Sequence, residues 1–465
     1  MLKLDMTIGE MLECLETASV GVSARTLKRK VNLCMDSREK AKGVVFWPIK
    51  GARFDAHQFV TQMEKDGALM SVVNQDAVEQ YSSKVETFKM YAPVEDTTKA
   101  LLKLAKGYQQ KFKVKKVAIT GSNGKTTTKE MTKAVLSMKY NTHATQGNFN
   151  NHIGVPMTLF QLKHSHEAAV IEMGTSGPDE IRPLSMATEP DVAVITNIGA
   201  SHLERLHDLD GVFNEKITIR DGLKKGGILI VNADDPRLCK VKSTSNVKVV
   251  TFGMNRGVYR PEKLTWNENA CASFYIGRTH FELNVPGTHN LYDALAAIAV
   301  GEAFHVAKKD IAKALSNYRA TNMRMEFKKA NGFKIVSDCY NANPSSTKMA
   351  LQTIGNMACK GKRIAILGDM LELGKESANL HAQIGALVPE MNFDLLITVG
   401  RDARNYVRGA KSRGMKAVFH FGAVQEAVEF LCDTVSEGDV LLVKGSRGMH
   451  MEQVVDALMK LTPVV

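Results

Sequence analysis

A chain of 465 residues, 44% apolar and 24% charged, holds material for about three globular domains and excludes a disordered or fibrous protein. Seven scattered cysteines, odd in number and never in a CxxC pair, argue against a disulfide framework or zinc site and fit a reducing cytoplasm. The net charge of +12 suits small anionic substrates better than nucleic acid, because aromatics are only 6% and Lys111-Phe112-Lys113-Val114-Lys115-Lys116 alternates like a strand with one solvated face.

The first segment, residues 1–95, opens with acids and carries a helix near Ile8–Leu15 and short strands such as Val44–Pro48. This texture predicts a small α/β substrate domain. No apolar stretch along the chain approaches the ~18 residues a membrane span needs, so an unexported protein is expected. From residue 117 onward apolar runs alternate with helical patterns, the mark of mostly parallel sheets. Val117–Thr120, Ala168–Ile171, Val192–Thr196, Gly227–Val231 and Lys248–Phe252 form one block, expected as a central domain over 96–320. Leu291 to His305 reads as a helix, and a basic crossing from Tyr318 to Glu326 places a boundary near residue 321. Lys334–Ser337, Arg363–Leu367, Leu395–Val399 and Val440–Val443 then form a second block, expected as a C-terminal domain over 321–465. The fold class is α/β in three domains, with a ligand cleft between the two sheets.

The central block holds a phosphate cradle. The apolar run ending at Ile119 breaks into Gly121-Ser122-Asn123-Gly124-Lys125-Thr126-Thr127 and then a helical pattern with Met131, Ala134, Val135 and Met138 as its apolar face. Glycines let successive backbone N–H groups turn to one anion, Lys125 adds a mobile charge, and the Thr126 hydroxyl is suited to Mg²⁺. The usual longer motif has a glycine at position 119, where this chain has Ile119.

Ligands of doubly wound sheets bind beyond the carboxyl ends of the strands. The residues there are Glu172, Asn197 with His202, Asp338, Asp369 and Lys444. Thr126, Glu172 and His202 together form a set that could ligate a divalent metal, the oxygens suiting Mg²⁺ and the imidazole admitting Mn²⁺.

These residues resemble the Mur ligases, which join amino acids or a dipeptide to a UDP-muramoyl peptide using ATP and whose short phosphate loop reads GxxGKT. Gly121-Ser122-Asn123-Gly124-Lys125-Thr126 matches it. Thr145-Gln146-Gly147-Asn148-Phe149-Asn150-Asn151-His152-Ile153-Gly154-Val155-Pro156 is similar to another family segment, as are Glu172-Met173-Gly174 and Asn197 through Glu204. Asp338 through Pro344, Leu367 through Gly374 and Val443 through Arg447 look like the branch that adds D-alanyl-D-alanine. Asp36-Ser37-Arg38 and Lys50 through His57 resemble the segments that hold the UDP-sugar.

The resemblance implies ATP, two Mg²⁺ ions, UDP-N-acetylmuramoyl-tripeptide and D-alanyl-D-alanine as ligands of a monomer with a Rossmann-like C-terminal domain, reacting through an acyl phosphate. It implies Ser37, Arg38, Asn148 and Asn151 for the nucleotide-linked peptide, and Tyr340, Asn341, Asn343, Lys444, Ser446 and Arg447 for substrate on the C-terminal side. For ATP it implies the phosphate loop, Asn290 and Asp293 at adenine, Arg324 at the γ-phosphate and Asp338 at the ribose. Lys125, His202 and Lys216 are the implied catalytic residues, Lys216 as a carbamate that joins Thr126, Glu172 and His202 as a metal ligand. A sibling ligase with a single amino acid donor and a P-loop nucleotide switch remain the alternatives. Three positions depart from the family: Ala56 before His57, Thr175 through Asp179 after Glu172, and Asp293 where an asparagine is usual. As a carboxylate Asp293 accepts hydrogen bonds but cannot donate, so altered ATP affinity or base preference is expected.

Overall fold

The computed structural model describes residues 1–51, 53–82, 88–320 and 323–461. Ala52, within the Lys50 to His57 run, and residue 321, the expected boundary, lie outside the described residues.

The N-terminal sheet has five strands in sequence order: β1 (Leu2–Thr7), β2 (Lys30–Cys34), β3 (Val45–Phe46), β4 (Met70–Asn74) and β5 (Tyr91–Val94). β1 and β2 are antiparallel and the rest parallel. The helix Ile8–Leu15 forms where predicted, with Ile8, Met11, Leu12 and Leu15 buried at helical spacing. Its start is fixed by a capping box, Thr7 taking the Glu10 N–H and Glu10 reaching back to the Thr7 N–H. Helix Thr97–Gln109 carries buried Leu101, Leu104 and Ala105 into one hydrophobic core with Leu4 and Trp47 of the N-terminal sheet and Ile171 and Ile195 of the central one. Apolar packing is therefore continuous across residue 95.

The central sheet is parallel, made of β6 (Lys115–Thr120), β7 (Thr142–Ala144), β8 (Ala168–Glu172), β9 (Val192–Ile195), β10 (Gly227–Asn232) and β11 (Val247–Phe252), in the order β11-β10-β9-β6-β8-β7. β6 lies between β9 and β8, which puts the loop after it in the middle of the sheet edge. The expected apolar face of the next helix is corrected. The helix is Lys125–Leu136, so Met138 lies beyond its end and is 37% exposed, and Ala134 is half-buried. Met131 and Val135 are buried as expected, and Thr128, Thr132 and Leu136 join them, because the helix is pressed between the sheet and helix Thr288–Ala303. Lys116, read as one of a solvated row, is buried, its ammonium donating to Gln109 Oε1 at 2.7 Å. A three-stranded antiparallel sheet, β12 (Glu262–Trp266), β13 (Cys271–Ile276) and β14 (Thr279–Pro286), was not predicted.

The C-terminal sheet comprises β15 (Glu326–Ala330), β16 (Phe333–Asp338), β17 (Arg363–Gly368), β18 (Leu395–Val399), β19 (Val418–Phe421) and β20 (Val440–Lys444), ordered β15-β16-β20-β17-β18-β19. Apart from antiparallel β15 it is parallel, with a hydrophobic core on each face. The carboxyl ends of β16 and β20 face the same cleft as those of β6, β8, β9 and β10.

Candidate active site

A cavity of about 840 Å³ lies between the central and C-terminal sheets. Its floor is the loop after β6. Gly121 has φ +153°, and a Cβ there would lie 1.8 Å from Thr196 Oγ1. Gly124, at φ +79°, ends the loop, and a Cβ on it would lie 2.3 Å from Asp293 Oδ1. Both glycines are thus required by conformation and by space. The loop is tied to the end of β9. Ser122 N–H donates to the Asn197 carbonyl and Asn123 N–H to Asn197 Oδ1, each at 3.0 Å, while the Thr196 hydroxyl donates to the Asn123 carbonyl. Lys125 folds back to donate to the Gly121 carbonyl at 2.8 Å. Burial lowers its pKa, opposed by the nearby Glu172 carboxylate and assisted by Arg324.

At the end of β8, Glu172 Oε1 accepts from Asn150 Nδ2 at 2.8 Å, and Oε2 is buried without a partner. Thr126 is 7% exposed and lines the same cavity, as do Asn148 and Thr127. Asn151 also lines it, with its side-chain oxygen accepting from the Ile153 and Gly154 N–H groups. Lys216 lies behind the lining, 1% exposed on helix Leu209–Ile217. Burial first, then the charge of Lys125, brings its pKa to about 7, which leaves much of the amine neutral. His202, at φ +53°, places Nδ1 3.2 Å from Glu372 Oε2 across the cleft. Burial and the Lys216 and Lys125 charges lower its pKa, and Glu372 opposes them.

No group of three His, Cys, Asp or Glu side chains among the described residues is arranged to hold a metal ion. The expected mixed set has one buried orphan oxygen, Glu172 Oε2, which suits a cation. Lys125 and the turned backbone of the loop give the floor a character that suits phosphate.

The facing wall comes from the C-terminal domain. Lys444, 2% exposed, pairs with Asp338 Oδ2 and donates to the Asn341 carbonyl at 2.9 Å. Asp338 Oδ1 also accepts from the Met325 N–H at 3.2 Å. The Arg324 guanidinium lies 3.9 Å above the Tyr340 ring, with its Nε buried and unpartnered. Asn343 caps helix Pro344–Gly355 through its oxygen and donates through Nδ2 to Asn123 Oδ1 at 2.7 Å. One side chain therefore joins the C-terminal helix to the phosphate loop.

Several expected residues lie elsewhere. Ser446 is buried, its hydroxyl accepting from the Leu371 N–H at 2.9 Å, and Arg447 pairs with Glu452 at 3.1 Å; neither lines the cavity. Ser37 and Arg38 are outside it too, Arg38 being 89% exposed and paired with Asp36 at 2.7 Å. Asp369 accepts from the Ala403 N–H, a bond within its own domain. Asn290 lines the cavity and donates to the Pro286 carbonyl at 2.7 Å.

Sequence reasoning missed Asn232, which ends β10, and Asp234 and Asp235 just after it, all of which line the cavity. They stand directly after the apolar run ending at Val231, so the strand-end rule that selected Glu172 applies to them as well. Asp235 accepts from the Ile198 N–H at 2.8 Å and Asp234 from the Tyr292 hydroxyl at 2.8 Å. Asn150 and Glu372 stood inside quoted runs without a role.

A phosphate loop on one parallel sheet, faced by charged strand ends of a second, defines an α/β P-loop protein whose working residues are divided between domains. The Mur ligase middle domain model matches residues 119–301, and the Mur ligase, glutamate ligase domain model matches 323–447. The chain belongs to the Mur ligase family. It is 37% identical over 429 residues to the UDP-N-acetylmuramoyl-tripeptide--D-alanyl-D-alanine ligase of Bacillus subtilis (strain 168), covering 91% of this chain and 92% of that one. Its fold is similar to a crystal structure of MurF from Acinetobacter baumannii, with a TM-score of 0.88, 29% identity and coverage of 98% of this chain and 100% of the other. MurF ligase from Thermotoga maritima in complex with ADP matches with a TM-score of 0.81 and 26% identity, covering 92% of this chain and 97% of that one. No helix among the described residues is long and apolar enough to cross a membrane.

Proposed function

We propose that this protein is an ATP-dependent ligase that joins D-alanyl-D-alanine to UDP-N-acetylmuramoyl-tripeptide in cytoplasmic peptidoglycan precursor synthesis, releasing ADP and phosphate. The observation that carries this reading is the meeting of the phosphate loop and the Asp338, Asn341, Asn343 and Lys444 wall in one cavity, joined by the Asn123–Asn343 bond. In this reading residues 1–95 hold the UDP-sugar through Ser37 and Arg38, 96–320 hold ATP, and 321–465 bring the dipeptide.

A carboxylate and an amine do not condense in water without a leaving group. The terminal tripeptide carboxylate therefore attacks the γ-phosphorus of ATP, and its new O–P bond forms as the bond to the ADP oxygen breaks. The dipeptide amine, having lost its proton, adds to the acyl carbon, and collapse expels inorganic phosphate. Positioning and charge neutralisation are the protein's share of such a transfer. Lys125 leaves the Gly121 carbonyl for the β- and γ-phosphates, loop N–H groups hold their oxygens, and Arg324, stacked on Tyr340, brings its fork to the γ-phosphate. Asp338, already bonded to Met325 N–H and Lys444, is the ribose partner. Lys444, Asn341 and Asn343 line the dipeptide side, and closure of that wall keeps water from the acyl phosphate.

Thr126, Glu172, His202 and a carbamylated Lys216 would hold two Mg²⁺ ions, which would supply Lewis acidity to the phosphoryl oxygens. Glu172 Oε2 is free for that role, and with Nδ1 engaged by Glu372 the imidazole offers Nε2. A Lys216 ammonium repels a cation, whereas the carbamate formed when its amine takes up CO₂ carries the opposite charge. The test is phosphate release from ATP and Mg²⁺ with the UDP-linked tripeptide, with and without D-alanyl-D-alanine. Release that needs both, with coupled product seen by mass, supports the reading; release without either substrate contradicts it and favours a nucleotide switch.

A further inference from the structure

The ligase reading above, on which this inference rests, requires the cavity to receive a cation. The dipeptide arrives with its amino group as an ammonium, in a cavity also lined by Lys125 and Arg324. Those like charges repel it, so a carboxylate with an oxygen to spare has to meet it there.

Most carboxylates of the cavity are committed within the protein. Asp234 and Asp235 each accept from three backbone N–H groups, Glu180 accepts from Ser176, and Asp338 pairs with Lys444. Glu172 and Asp293 are 2% and 4% exposed, each with its second oxygen shut away from solvent. Glu372 differs from all of these. Its side chain is 69% exposed, and among the described residues its one partner is His202, whose Nδ1 lies 3.2 Å from Oε2. Oε1 is left to face the cavity.

The backbone holds Glu372 in that place. It follows β17 in the C-terminal domain at φ +63°, a left-handed conformation that is unfavourable for a residue with a Cβ. Its neighbours fix the segment: the Met370 N–H donates to His381 Nε2 at 3.0 Å and the Leu371 N–H to the Ser446 hydroxyl at 2.9 Å. Met370 and Leu373, on either side, are buried in the core of the domain. Ser446, which does not line the cavity, thus steadies the segment that carries Glu372 to it.

We propose that Glu372 receives the amino group of the incoming dipeptide, Oε1 accepting from its ammonium while Oε2 stays on His202. The contact sets the nitrogen between the C-terminal wall and the side of the cavity where the acyl phosphate forms, and selects a donor that carries a cationic amine.

The experiment compares two nucleophiles on the full-length protein supplied with ATP, Mg²⁺ and the UDP-linked tripeptide. One is D-alanyl-D-alanine; the other is hydroxylamine, which is largely uncharged near neutral pH and displaces phosphate from an acyl phosphate to give a hydroxamate. Glu372→Gln keeps an acceptor for His202 and removes the charge. Its kcat/KM for the dipeptide, divided by its rate with hydroxylamine, is expected to fall roughly tenfold to a hundredfold below the wild-type ratio, through a raised KM. An unchanged ratio, with both rates lowered together, means that Glu372 acts only through His202 and overturns the proposal. Should the variant give no hydroxamate, the wild-type protein is inhibited with N,N-dimethyl-D-alanyl-D-alanine, a cation, and with neutral N-acetyl-D-alanyl-D-alanine. The cationic dipeptide must inhibit at least roughly tenfold better, and equal inhibition overturns the proposal. A wild-type protein that forms no hydroxamate and no coupled product overturns the ligase reading itself, a distinct outcome.

Discussion

Two regions with anion-binding character differ in how they are held. In the phosphate loop the backbone is fixed from within: Asn197 takes two of its N–H groups, Thr196 takes the Asn123 carbonyl, and Asn343 reaches Asn123 from the other domain. In the N-terminal domain, Arg38 stands in solvent, paired with Asp36 two residues away. The first region is tied to the end of a buried strand at the centre of a sheet, and little reorganisation is left for the ligand to drive. The second is a surface loop whose guanidinium would have to leave Asp36 to hold the nucleotide-linked substrate proposed for it. On the proposed function, affinity is built into the fold at the phosphate loop and assembled on binding at Arg38.

The contrast can be broken most strongly at the loop. Lys125→Ala should lower kcat roughly a hundredfold to a thousandfold with the fold intact. Phosphate release paired with a circular dichroism spectrum checks this, and a loss below tenfold would place phosphoryl transfer elsewhere. Gly121→Ala drives a Cβ into Thr196 and should destabilise the central domain by about 1–3 kcal/mol, seen as a lower denaturation midpoint. Asn343→Ala removes a helix cap and the bridge to Asn123 together, a loss of about 1 kcal/mol with a raised KM for ATP. An unchanged KM would mean that the bridge does not help hold the loop.

Asp293→Asn sharpens the comparison through pH. The folded carboxyl titrates near 8, above its unfolded value of 3.8, so the native state binds the extra proton between those values. Wild-type stability must then decline as pH rises across that window, relative to the variant, and the gap should level off above about 8. Melting both proteins at pH 5, 6, 7 and 8 tests the sign. The smallest effect belongs to the open region: Arg38→Ala should raise the KM for the nucleotide-linked tripeptide several-fold and leave the unfolding midpoint where it was. A shifted midpoint would show that the Asp36 pair stabilises the fold.

What was legible in the sequence followed from periodicity and glycine chemistry. Parallel strands read as apolar runs, so eight buried ones and the half-exposed β11 were found close to their observed limits, and residues after four of the runs pointed into the cleft, Glu172, Asn197, Asp338 and Lys444, while Asp369 did not. Edge strands β15 and β19 escaped because Glu326, Lys328 and Lys329 leave the first no apolar run and His420 interrupts the four residues of the second. Met138 was misplaced because helix ends are set by packing rather than by spacing. The burial of Lys216 and the orphaned oxygen of Asp293 are tertiary facts, since each depends on side chains far away in the chain. Asn343 shows the same limit: its place before Pro344 marks a helix cap, and nothing local announces a partner 220 positions away.

The most direct test supplies ATP, Mg²⁺ and UDP-N-acetylmuramoyl-tripeptide with an equimolar mixture of D-alanyl-D-alanine, D-alanine, L-lysine and D-glutamate, and identifies the coupled product by mass. The account predicts a single product heavier by one dipeptide residue pair, formed in step with phosphate. A product carrying one amino acid would contradict it and move the protein to a different branch of the family.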